Sequence, residues 1–566
     1  MAFYLKKTKL KGRTYLSIDE SFYDNERKGT AHRAYKSMTS YETLKAQGIE
    51  DPIAYCQKEV DRLNELHKKD KVKEISVTPE RYLGYFLFKS LLDKMQIKRY
   101  IDYYKLTTSF RFDLYDVLSS LVYSRVLNPR SKHRTFTDVI PRIFEEFKLS
   151  YDQLMEGLSF LGNNYEQMIE LFFTKTKECF DIKTDACYFD CTNFYFEIDR
   201  EDDWKRKGPS KENRKEPIIG MGLLLDGNQI PIGMKLYPGN QSEKPVLRGI
   251  IKELKEKSKI EGRTVQVADK GLNCAENIFS AVSSGDGYLF SKSVKTLSDM
   301  EKGWVLNDED KWTDVKDSDG NILYSYKSVV DVFDYEFIPS TGKKKKFNLT
   351  EKRVITFNPS LARKQKIEIE KMVSKARELN FSKAKKAEFG EAAKYVNFKS
   401  VDKDGVIDDD NRVVTDMNEK KIQHDLALCG YNMLVTSEIK LTEKEIYQTY
   451  HNLWRIEESF RIMKSDLDAR PVYCQTIEAI KGHFLICYIS VLLERILEFN
   501  IFKGEFSSTQ LIGFMRKLKI AKVDKGYLNL TSMSDTIKKV KELTNLPLTN
   551  YHLTETEIKR ILKYKV

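Results

Sequence analysis

The spacing of apolar residues changes twice along the chain, and each change predicts a change of secondary structure. From Thr78 to about Phe180 the apolar residues recur every three or four positions, which is the spacing of helices. Between residues 186 and 291 they form short runs bounded by turn residues, as strands do. After Thr442 the helical spacing returns. The pattern therefore predicts a central sheet between a helical N-terminal region and a helical C-terminal region.

The central segment has a definite order of elements. The predicted elements are strands 186–198, 217–225 and 230–237, a helix over 243–257, a strand over 264–268, a helix from about 275 and a strand over 287–291. This order, β-β-β-α-β-α-β, is that of a ribonuclease H-like fold, an α/β fold whose chemistry lies where strands end. Residues 295–423 change to short strand-like runs and charged loops, which we interpret as an insertion. A strand over 431–436 and a long helix over 442–467 then resume the core.

Six segments follow from this pattern. We predict a basic N-terminal region (1–75), a helical domain that is a candidate for DNA binding (76–180), the first part of a ribonuclease H-like core (181–297), a β-rich insertion (298–424), the second part of the core with a glutamate-bearing helix (425–500) and a helical C-terminal region (501–566).

Composition restricts the class of protein without identifying it. The 566 residues are 41% hydrophobic, and no stretch reaches the roughly 20 apolar residues of a membrane span, so we expect no membrane contact and a cytosolic location. The apolar run Phe484 to Leu493 is predicted as a buried helix, and His483 as a core histidine. Eight scattered cysteines lack the spacing of a zinc site. The net charge of +12 suits a polyanionic partner, although a solvated basic surface explains it equally well.

Two aspartates lie in or directly after predicted strands whose other residues are mostly apolar, aromatic or small. Asp190 lies within Tyr188-Phe189-Asp190-Cys191-Thr192, and Asp269 ends the buried run Val265 to Ala268. A carboxylate in such surroundings costs several kcal/mol to desolvate unless it is paired or binds a cation. Each alone more often caps a turn or pairs with a lysine. On two strands of one sheet, the two together are a candidate metal site.

A third carboxylate is predicted on the long helix. Its apolar stripe consists of Leu453, Ile456, Phe460, Met463 and Leu467. At about 100° per residue, Tyr450, Glu457 and Lys464 align along the edge of this stripe, whereas Glu458 turns away. The alternative is an ordinary amphipathic core helix. Trp454 is expected in the core rather than stacked on an unpaired base.

Three carboxylates suit hard cations, and we predict two Mg²⁺ (or Mn²⁺) ions held by Asp190, Asp269 and Glu457. Two such ions activate a water or a 3′-hydroxyl on one side of a phosphodiester and stabilise the leaving oxygen on the other. Arg461 and Lys464, together with Tyr450, are predicted to contact DNA phosphates beside the metals. The basic runs Lys6 to Arg13, Lys205 to Lys207 and Lys343 to Lys346 are further DNA candidates, or solvated surface.

The helix resembles the Y-x2-R-x3-E-x6-K signature of bacterial insertion-sequence DDE transposases of the IS-four superfamily, with Tyr450, Glu457 and Lys464 in register. The phrases around Asp190 and Asp269, and Arg470-Pro471-Val472-Tyr473, also resemble that superfamily, particularly its IS-sixteen-thirty-four-like branch. The signature arginine falls on Leu453, so that Arg455 or Arg461 would have to replace it.

The resemblance implies that Asp190, Asp269 and Glu457 are a catalytic triad. It also implies metal-dependent cleavage at insertion-sequence ends, strand transfer into target DNA by a cut-and-paste route, and a homodimer on double-stranded terminal inverted repeats. The location that it implies is the bacterial cytoplasm, in association with the nucleoid. Two alternatives stay open: a ribonuclease H-like nuclease that only hydrolyses, and a domesticated DNA-binding protein without catalysis.

Overall fold

The computed structural model describes residues 2–24, 28–70, 80–211, 215–258, 262–307, 311–339, 342–379, 389–399, 413–523 and 526–566. The chain divides into two compact units, Met1–Pro79 and Glu80–Val566, which are described separately. Within the described ranges, no helix has the length and apolar character needed to cross a membrane.

The first unit contains a three-stranded antiparallel sheet and two helices. Its elements are β1 (Ala2–Leu10), β2 (Arg13–Asp24), β3 (Gly29–Ser40), α1 (Tyr41–Ala46) and α2 (Pro52–Asp70). Leu16, Leu44 and Cys56 form its small buried core. The basic run Lys6 to Arg13 covers the end of β1 and the tight turn at Lys11-Gly12, where both residues have positive φ.

The second unit begins with the predicted helical region. Its elements are β4 (Glu80–Tyr82), α3 (Phe86–Lys94), α4 (Ile97–Lys105), α5 (Leu114–Leu127), α6 (Lys132–Arg134), α7 (Tyr151–Asn163) and α8 (Tyr165–Cys179). Local sequence explains where several of these helices start. Asp113 accepts a hydrogen bond from the backbone of Tyr115, and Ser150 forms a reciprocal capping box with Gln153.

The central elements occur in the predicted order. They are β5 (Ala186–Tyr195), β6 (Ile218–Leu225), β7 (Pro231–Pro238), α9 (Lys244–Ser258), β8 (Val265–Ala268), α10 (Ala275–Ser283) and β9 (Gly287–Lys292). The turn between β6 and β7 is held by Asp226, whose buried carboxylate accepts hydrogen bonds from the backbones of Ile230 and Lys183.

Residues 298–424 add both strands and helices. Their described elements are α11 (Asp299–Leu306), β10 (Thr313–Lys316), β11 (Ile322–Phe337), β12 (Lys345–Phe357), α12 (Pro359–Glu378), β13 (Val396–Lys399), β14 (Val413–Met417) and α13 (Glu419–Ala427). The chain then forms β15 (Tyr431–Thr436). Because β12 pairs with β15, the strands β10 to β12 extend the central sheet.

The central sheet has nine strands in the order β10-β11-β12-β15-β9-β8-β5-β6-β7. Strands β5, β8 and β9 are parallel, and the other neighbouring pairs are antiparallel. Alternate residues of β5 belong to two different cores. Tyr188 and Phe194 pack into the larger core, and Phe189 packs into the core that contains α9 and α10. The sheet therefore lies between two layers of helices, as expected when both of its faces are apolar.

The helical segment after β15 differs from the prediction, because it is not one continuous helix. It consists of α14 (Glu443–His451) and α15 (Trp454–Arg461), followed by a π-helical turn over Ile462–Asp466. At the break, the backbone N–H of Leu453 bonds to the carbonyl of Tyr450, three rather than four residues back. Asn452 lies at this point, and its side chain approaches the hydroxyl of Tyr188 on β5.

The next helix, α16 (Ile477–Arg495), confirms the prediction of a buried helix, since Phe484 to Leu493 are all buried. His483 is a core histidine, as predicted. It is 4% exposed, and its two ring nitrogens lie 2.9 Å from the carbonyl oxygen of Ala469 and 2.9 Å from Nζ of Lys132.

The C-terminal region contains strands as well as the predicted helices. Its elements are α17 (Ser508–Lys517), β16 (Lys519–Val523), β17 (Gly526–Asn529), α18 (Asp535–Thr544), β18 (His552–Leu553) and α19 (Glu555–Leu562). The strands form a second sheet in the order β18-β17-β16-β4. The sequence pattern missed it because the strands have two to five residues, and one pairs with β4 at the start of this unit.

Candidate active site

The parallel pairing of β5 and β8 brings the two predicted aspartates together. Phe189 is opposite Ala268 in the last pair of the register, and Asp190 and Asp269 each follow directly. Ser291 occupies the same level on β9, because Ala268 is opposite Phe290. Each of the three parallel strands therefore contributes a polar side chain at one level of a sheet that is otherwise apolar there.

Asp190 is largely desolvated, with 19% of its side chain exposed. Burial raises its pKa to about 6, and the charges of Glu243 and Asp269 also raise it. The ammonium of Lys211 opposes this shift, with Nζ 3.6 Å from Oδ1 of Asp190. A lysine ammonium beside a carboxylate partly offsets the cost of desolvation, which a metal cation would do more strongly.

Tyr450 orients the second carboxylate. Its hydroxyl donates a hydrogen bond of 3.0 Å to Oδ1 of Asp269. Burial raises the pKa of Tyr450 far above its usual value, and the charges of Asp269 and Asp190 raise it further. The hydroxyl therefore remains protonated and acts as a donor. The sequence predicted Tyr450 as a phosphate contact, whereas here it contacts a candidate metal ligand.

The predicted apolar stripe of the glutamate helix is confirmed. Leu453 is 8% exposed, Phe460 6%, and Ile456, Met463 and Leu467 are fully buried. Glu457 is exposed, and Tyr450 and Lys464 are half-buried, as expected for the rim of that stripe. Trp454 is 44% exposed, so the prediction that it belongs to the core is wrong. It lies on the outer side of α15, where the stripe leaves it uncovered.

Two contacts show how this segment lies relative to β5. The side chain of Asn452 approaches the hydroxyl of Tyr188 near the start of the strand, and Nζ of Lys464 lies 5.4 Å from the ring centre of Phe194 near its end. The segment from 452 to 464 therefore follows β5. Asp190 lies between Tyr188 and Phe194, on the same face of the strand.

Glu458 and Arg461 are engaged in ion pairs. Glu458 lies 3.0 Å from Nη2 of the buried Arg495 and 3.8 Å from Arg461. Arg461 also pairs with Asp466 at 3.2 Å. Glu458 thus pairs with Arg495 of α16, whereas the sequence predicted only that Glu458 turns away from the site. The charge of Arg461 is balanced by two carboxylates of its own segment, Glu458 and Asp466.

Two groups at the site were missed by the sequence analysis. Nζ of Lys211 lies 3.8 Å from Oε1 of Glu243 as well as beside Asp190, and it donates to the carbonyl of Cys191. Lys211 and Glu243 also line a cavity of about 390 Å³, together with Asn193, Tyr237 and Gly271. The one signal available in the sequence was the position of Glu243, which lies in the loop after β7 and directly before α9. Only the fold brings Lys211, from the loop after β5, to the same place.

The donor set fits a hard divalent cation in part. Among the described residues, no three His, Cys, Asp or Glu side chains lie close enough together to hold a metal ion. The adjacent pair Asp190 and Asp269 nevertheless supplies carboxylate oxygens of the type that Mg²⁺ prefers. The ammonium of Lys211 already shows that a cation is accommodated beside Asp190.

The other basic runs differ in exposure. Lys205 is 8% exposed and bonds to Asp202 at 2.9 Å and to the carbonyl of Gln475 at 3.1 Å, so it does not belong to an open surface. Lys343 to Lys346 are exposed at the start of β12, with Lys344 2.8 Å from Glu336.

Comparison with known proteins gives one family match. The family model of the transposase DDE domain matches residues 188–493, which is more than half of the chain and includes Asp190, Asp269 and Glu457. No curated protein matches the chain. Among solved structures, a cryo-EM structure of a piggyBac transposase synaptic complex with hairpin DNA is 11% identical, with a TM-score of 0.34, covering 86% of this chain and 83% of that one. That likeness is too distant to support a conclusion.

Proposed function

The chain belongs to the transposase DDE domain family and is therefore a DNA transposase, and from this premise we propose that Asp190, Asp269 and Glu457 are its catalytic triad. The observation that carries the proposal is the parallel register of β5 and β8. This register places Asp190 and Asp269 side by side. The glutamate helix packs over the same face of the sheet, and Tyr450 and Lys464 at the edge of its apolar stripe are half-buried.

The arrangement of strands supports a ribonuclease H-like core. Strands β7, β6 and β5 form an antiparallel meander, and β8 and β9 join it in parallel to β5. In chain order these five strands and the two helices between them have the β-β-β-α-β-α-β order that the sequence predicted. The strands that carry Asp190 and Asp269 lie at the centre of this arrangement.

The path of the glutamate segment supports Glu457 as the third ligand. Asn452 approaches Tyr188 near the start of β5, and Lys464 approaches Phe194 near its end. Glu457 lies between Asn452 and Lys464 along the segment, as Asp190 lies between Tyr188 and Phe194 along the strand. We infer from this order that Glu457 lies near the level of Asp190.

In this proposal two Mg²⁺ ions, or Mn²⁺, would be held by the three carboxylates. When bound, they would activate a water or a DNA 3′-hydroxyl as the nucleophile and would stabilise the leaving oxygen of a phosphodiester. Tyr450 keeps Asp269 in one orientation through its hydrogen bond. Lys211 balances the charge of Asp190 before a metal binds, and afterwards it is free to pair with Glu243.

The DNA partner and assembly are also part of the proposal. We assign Lys464 and Arg461 to phosphates of insertion-sequence ends, with Tyr450 between them and the carboxylates. For Arg461, this assignment requires a phosphate to replace Asp466 as its partner. A homodimer on paired terminal inverted repeats, target DNA as the second substrate, a bacterial cytoplasmic location and membership of the IS-four superfamily complete the proposal, and they rest on the sequence motif alone.

A strand-transfer assay tests the function directly. Purified protein is incubated with Mg²⁺, a duplex that ends in the inverted repeat beside the gene, and a supercoiled target plasmid. We expect both cleavage at the repeat and joining of the freed 3′-end to the plasmid. Cleavage without joining would instead identify a nuclease that only hydrolyses, and binding without either reaction would identify a non-catalytic DNA-binding protein.

A further inference from the structure

Arg495, at the end of α16, is a fully buried arginine with an unusual set of partners. Its guanidinium has no exposed surface, and it contacts Glu458 at 3.0 Å and Glu498 at 2.6 Å. Glu494 lies 3.9 Å away. A buried ionic cluster of this kind stabilises a fold little compared with apolar packing, so its presence calls for another explanation.

Three of the guanidinium contacts fall on α15, the helix that carries Glu457. Nη2 donates to the carbonyl of Arg455 at 3.3 Å and to Oε2 of Glu458 at 3.0 Å, and Nε donates to Oγ of Ser459 at 3.2 Å. Residues three and four apart lie on one face of a helix, so Arg495 contacts a single face of α15, the one formed by Arg455, Glu458 and Ser459. Glu457, at 100° per residue, lies on the opposite face.

The remaining contacts fix the guanidinium itself. Nη1 donates to Oε2 of Glu498 at 2.6 Å and to Oγ of Ser508 at 3.3 Å, and Ser508 donates to Glu498 at 2.8 Å. Glu498 lies in the π-helical continuation of α16, and Ser508 begins α17. One planar side chain therefore joins α15 to two neighbouring segments in a fixed orientation, which a lysine could not reproduce.

Helix α15 needs such support because it is short and interrupted at both ends. It has eight residues, no side-chain hydrogen bond at its N-terminus, a break before it and a π-helical turn after it. Short helices are marginal without tertiary contacts. A rotation of α15 about its axis would carry Glu457 away from its proposed position beside Asp190.

We propose that Arg495 is a positioning residue that sets the rotation of α15 and so holds Glu457 toward Asp190 and Asp269. The proposal rests on the catalytic triad assigned above. Arg495 itself touches neither DNA nor metal in this proposal, and it acts through the backbone of Arg455 and the side chains of Glu458 and Ser459.

The test compares Arg495→Lys with wild type in four measurements. They are thermal unfolding, binding of a duplex that carries the insertion-sequence end (end DNA), affinity for Mn²⁺ measured by electron paramagnetic resonance, and the cleavage rate as the Mn²⁺ concentration is varied. We expect folded protein with wild-type DNA affinity. Loss of a group that orients a metal ligand typically weakens metal affinity or activity by about 10- to 100-fold, and we expect a loss in that range for both.

Two further variants keep the test decisive if Arg495→Lys does not fold. Ser459→Ala removes one acceptor and should give a smaller change in the same direction. Arg353→Lys is the matched control, since Arg353 is also buried between glutamates, Glu351 and Glu301, but lies on β12. It should lose thermal stability while keeping wild-type Mn²⁺ affinity.

The outcomes separate this proposal from the one it rests on. Wild-type Mn²⁺ affinity and cleavage rate in folded Arg495→Lys, or in Ser459→Ala when the lysine variant is unfolded, would overturn the role of Arg495 while Glu457→Gln remained inactive. Normal cleavage in Glu457→Gln would overturn the glutamate assignment, and with it the role of Arg495. Inactive Asp190→Asn in the same assay would still support the transposase site.

Discussion

At the scale of single residues, the site is built on an imbalance of charge. Asp190 is desolvated at the centre of an apolar sheet, and Nζ of Lys211 lies 3.6 Å from its Oδ1. Glu243 shares the same lysine at 3.8 Å. The ammonium of Lys211 thus pairs with two carboxylates. Asp269, at the end of the next strand, adds a third negative charge. Such a cluster favours binding of a divalent cation, because that adds two positive charges where one is now present.

We expect Asp190→Asn and Asp269→Asn each to abolish strand cleavage and to leave binding of end DNA largely intact. The amide keeps the shape of the carboxylate but loses the charge that holds a metal ion. Cleavage of labelled end DNA and a gel-shift assay measure the two effects. Asp185→Asn is the control, since Asp185 precedes β5 directly and is exposed. Magnesium-dependent nicking by either site variant would remove that residue from the triad.

The adjacent glutamates Glu457 and Glu458 should differ sharply. Glu457→Gln should eliminate cleavage, because a neutral amide binds Mg²⁺ poorly. Glu458→Gln should retain most of it, since the amide oxygen still accepts a hydrogen bond from Arg495, although one buried charge is lost. The measurement is single-turnover cleavage corrected for the folded fraction. An inactive Glu458→Gln beside an active Glu457→Gln would show that the helical register assigned here is wrong.

At the scale of elements, α15 and α16 are joined by buried charges rather than by apolar contacts alone. Burial raises the pKa of Glu494, on α16, to about 8, although the neighbouring Arg495 lowers it. Near neutral pH this carboxyl group is therefore largely protonated in the folded protein. In the unfolded chain it ionises near 4.5.

This difference predicts a pH-dependent stability. A carboxyl group whose pKa is raised by folding stabilises the protein below its unfolded pKa, and this contribution is lost as pH rises toward the folded pKa. The melting temperature of Glu494→Gln, measured relative to wild type, should therefore increase between about pH 4.5 and pH 8. Differential scanning calorimetry across that range is the measurement. A difference that does not change with pH would show that Glu494 is ionised in the folded protein.

At the scale of the whole molecule, the net charge of +12 matters through the DNA that a transposase must bind. A basic protein releases condensed counterions for each phosphate that it neutralises, so its affinity falls linearly with salt on logarithmic axes. We expect a steep dependence for end DNA, measured by fluorescence anisotropy. Equal affinity at low and high salt would count against direct contact with the duplex.

The exposed lysines at the start of β12 contribute to this effect in our proposal. Replacing Lys343 to Lys346 with glutamine should weaken binding and reduce the salt dependence, without changing the preference for end DNA over a scrambled duplex. Lysines on phosphates carry no base information. A changed preference would instead place these residues at base edges, and an unchanged salt dependence would place them away from the DNA.

Much of the site followed from the sequence, because it depends on local patterns. Period-two and period-3.6 spacing predicted the order of the core elements, and the placement of Asp190 and Asp269 at two strands of one sheet predicted a shared site, whose common level the register of β5 and β8 then showed. The stripe from Leu453 to Leu467 predicted which side of the helix is buried. These features depend on neighbours within a few residues, and such neighbours are visible in the sequence.

The tertiary structure alone decided how distant segments meet. Lys211 and Glu243 approach Asp190 from two different loops. Tyr450 hydrogen-bonds to Asp269, which is 181 positions away in the sequence. Arg495 contacts α15 from another helix. No periodicity encodes such contacts, because they arise from how elements pack and from which buried charges must be balanced once they have packed.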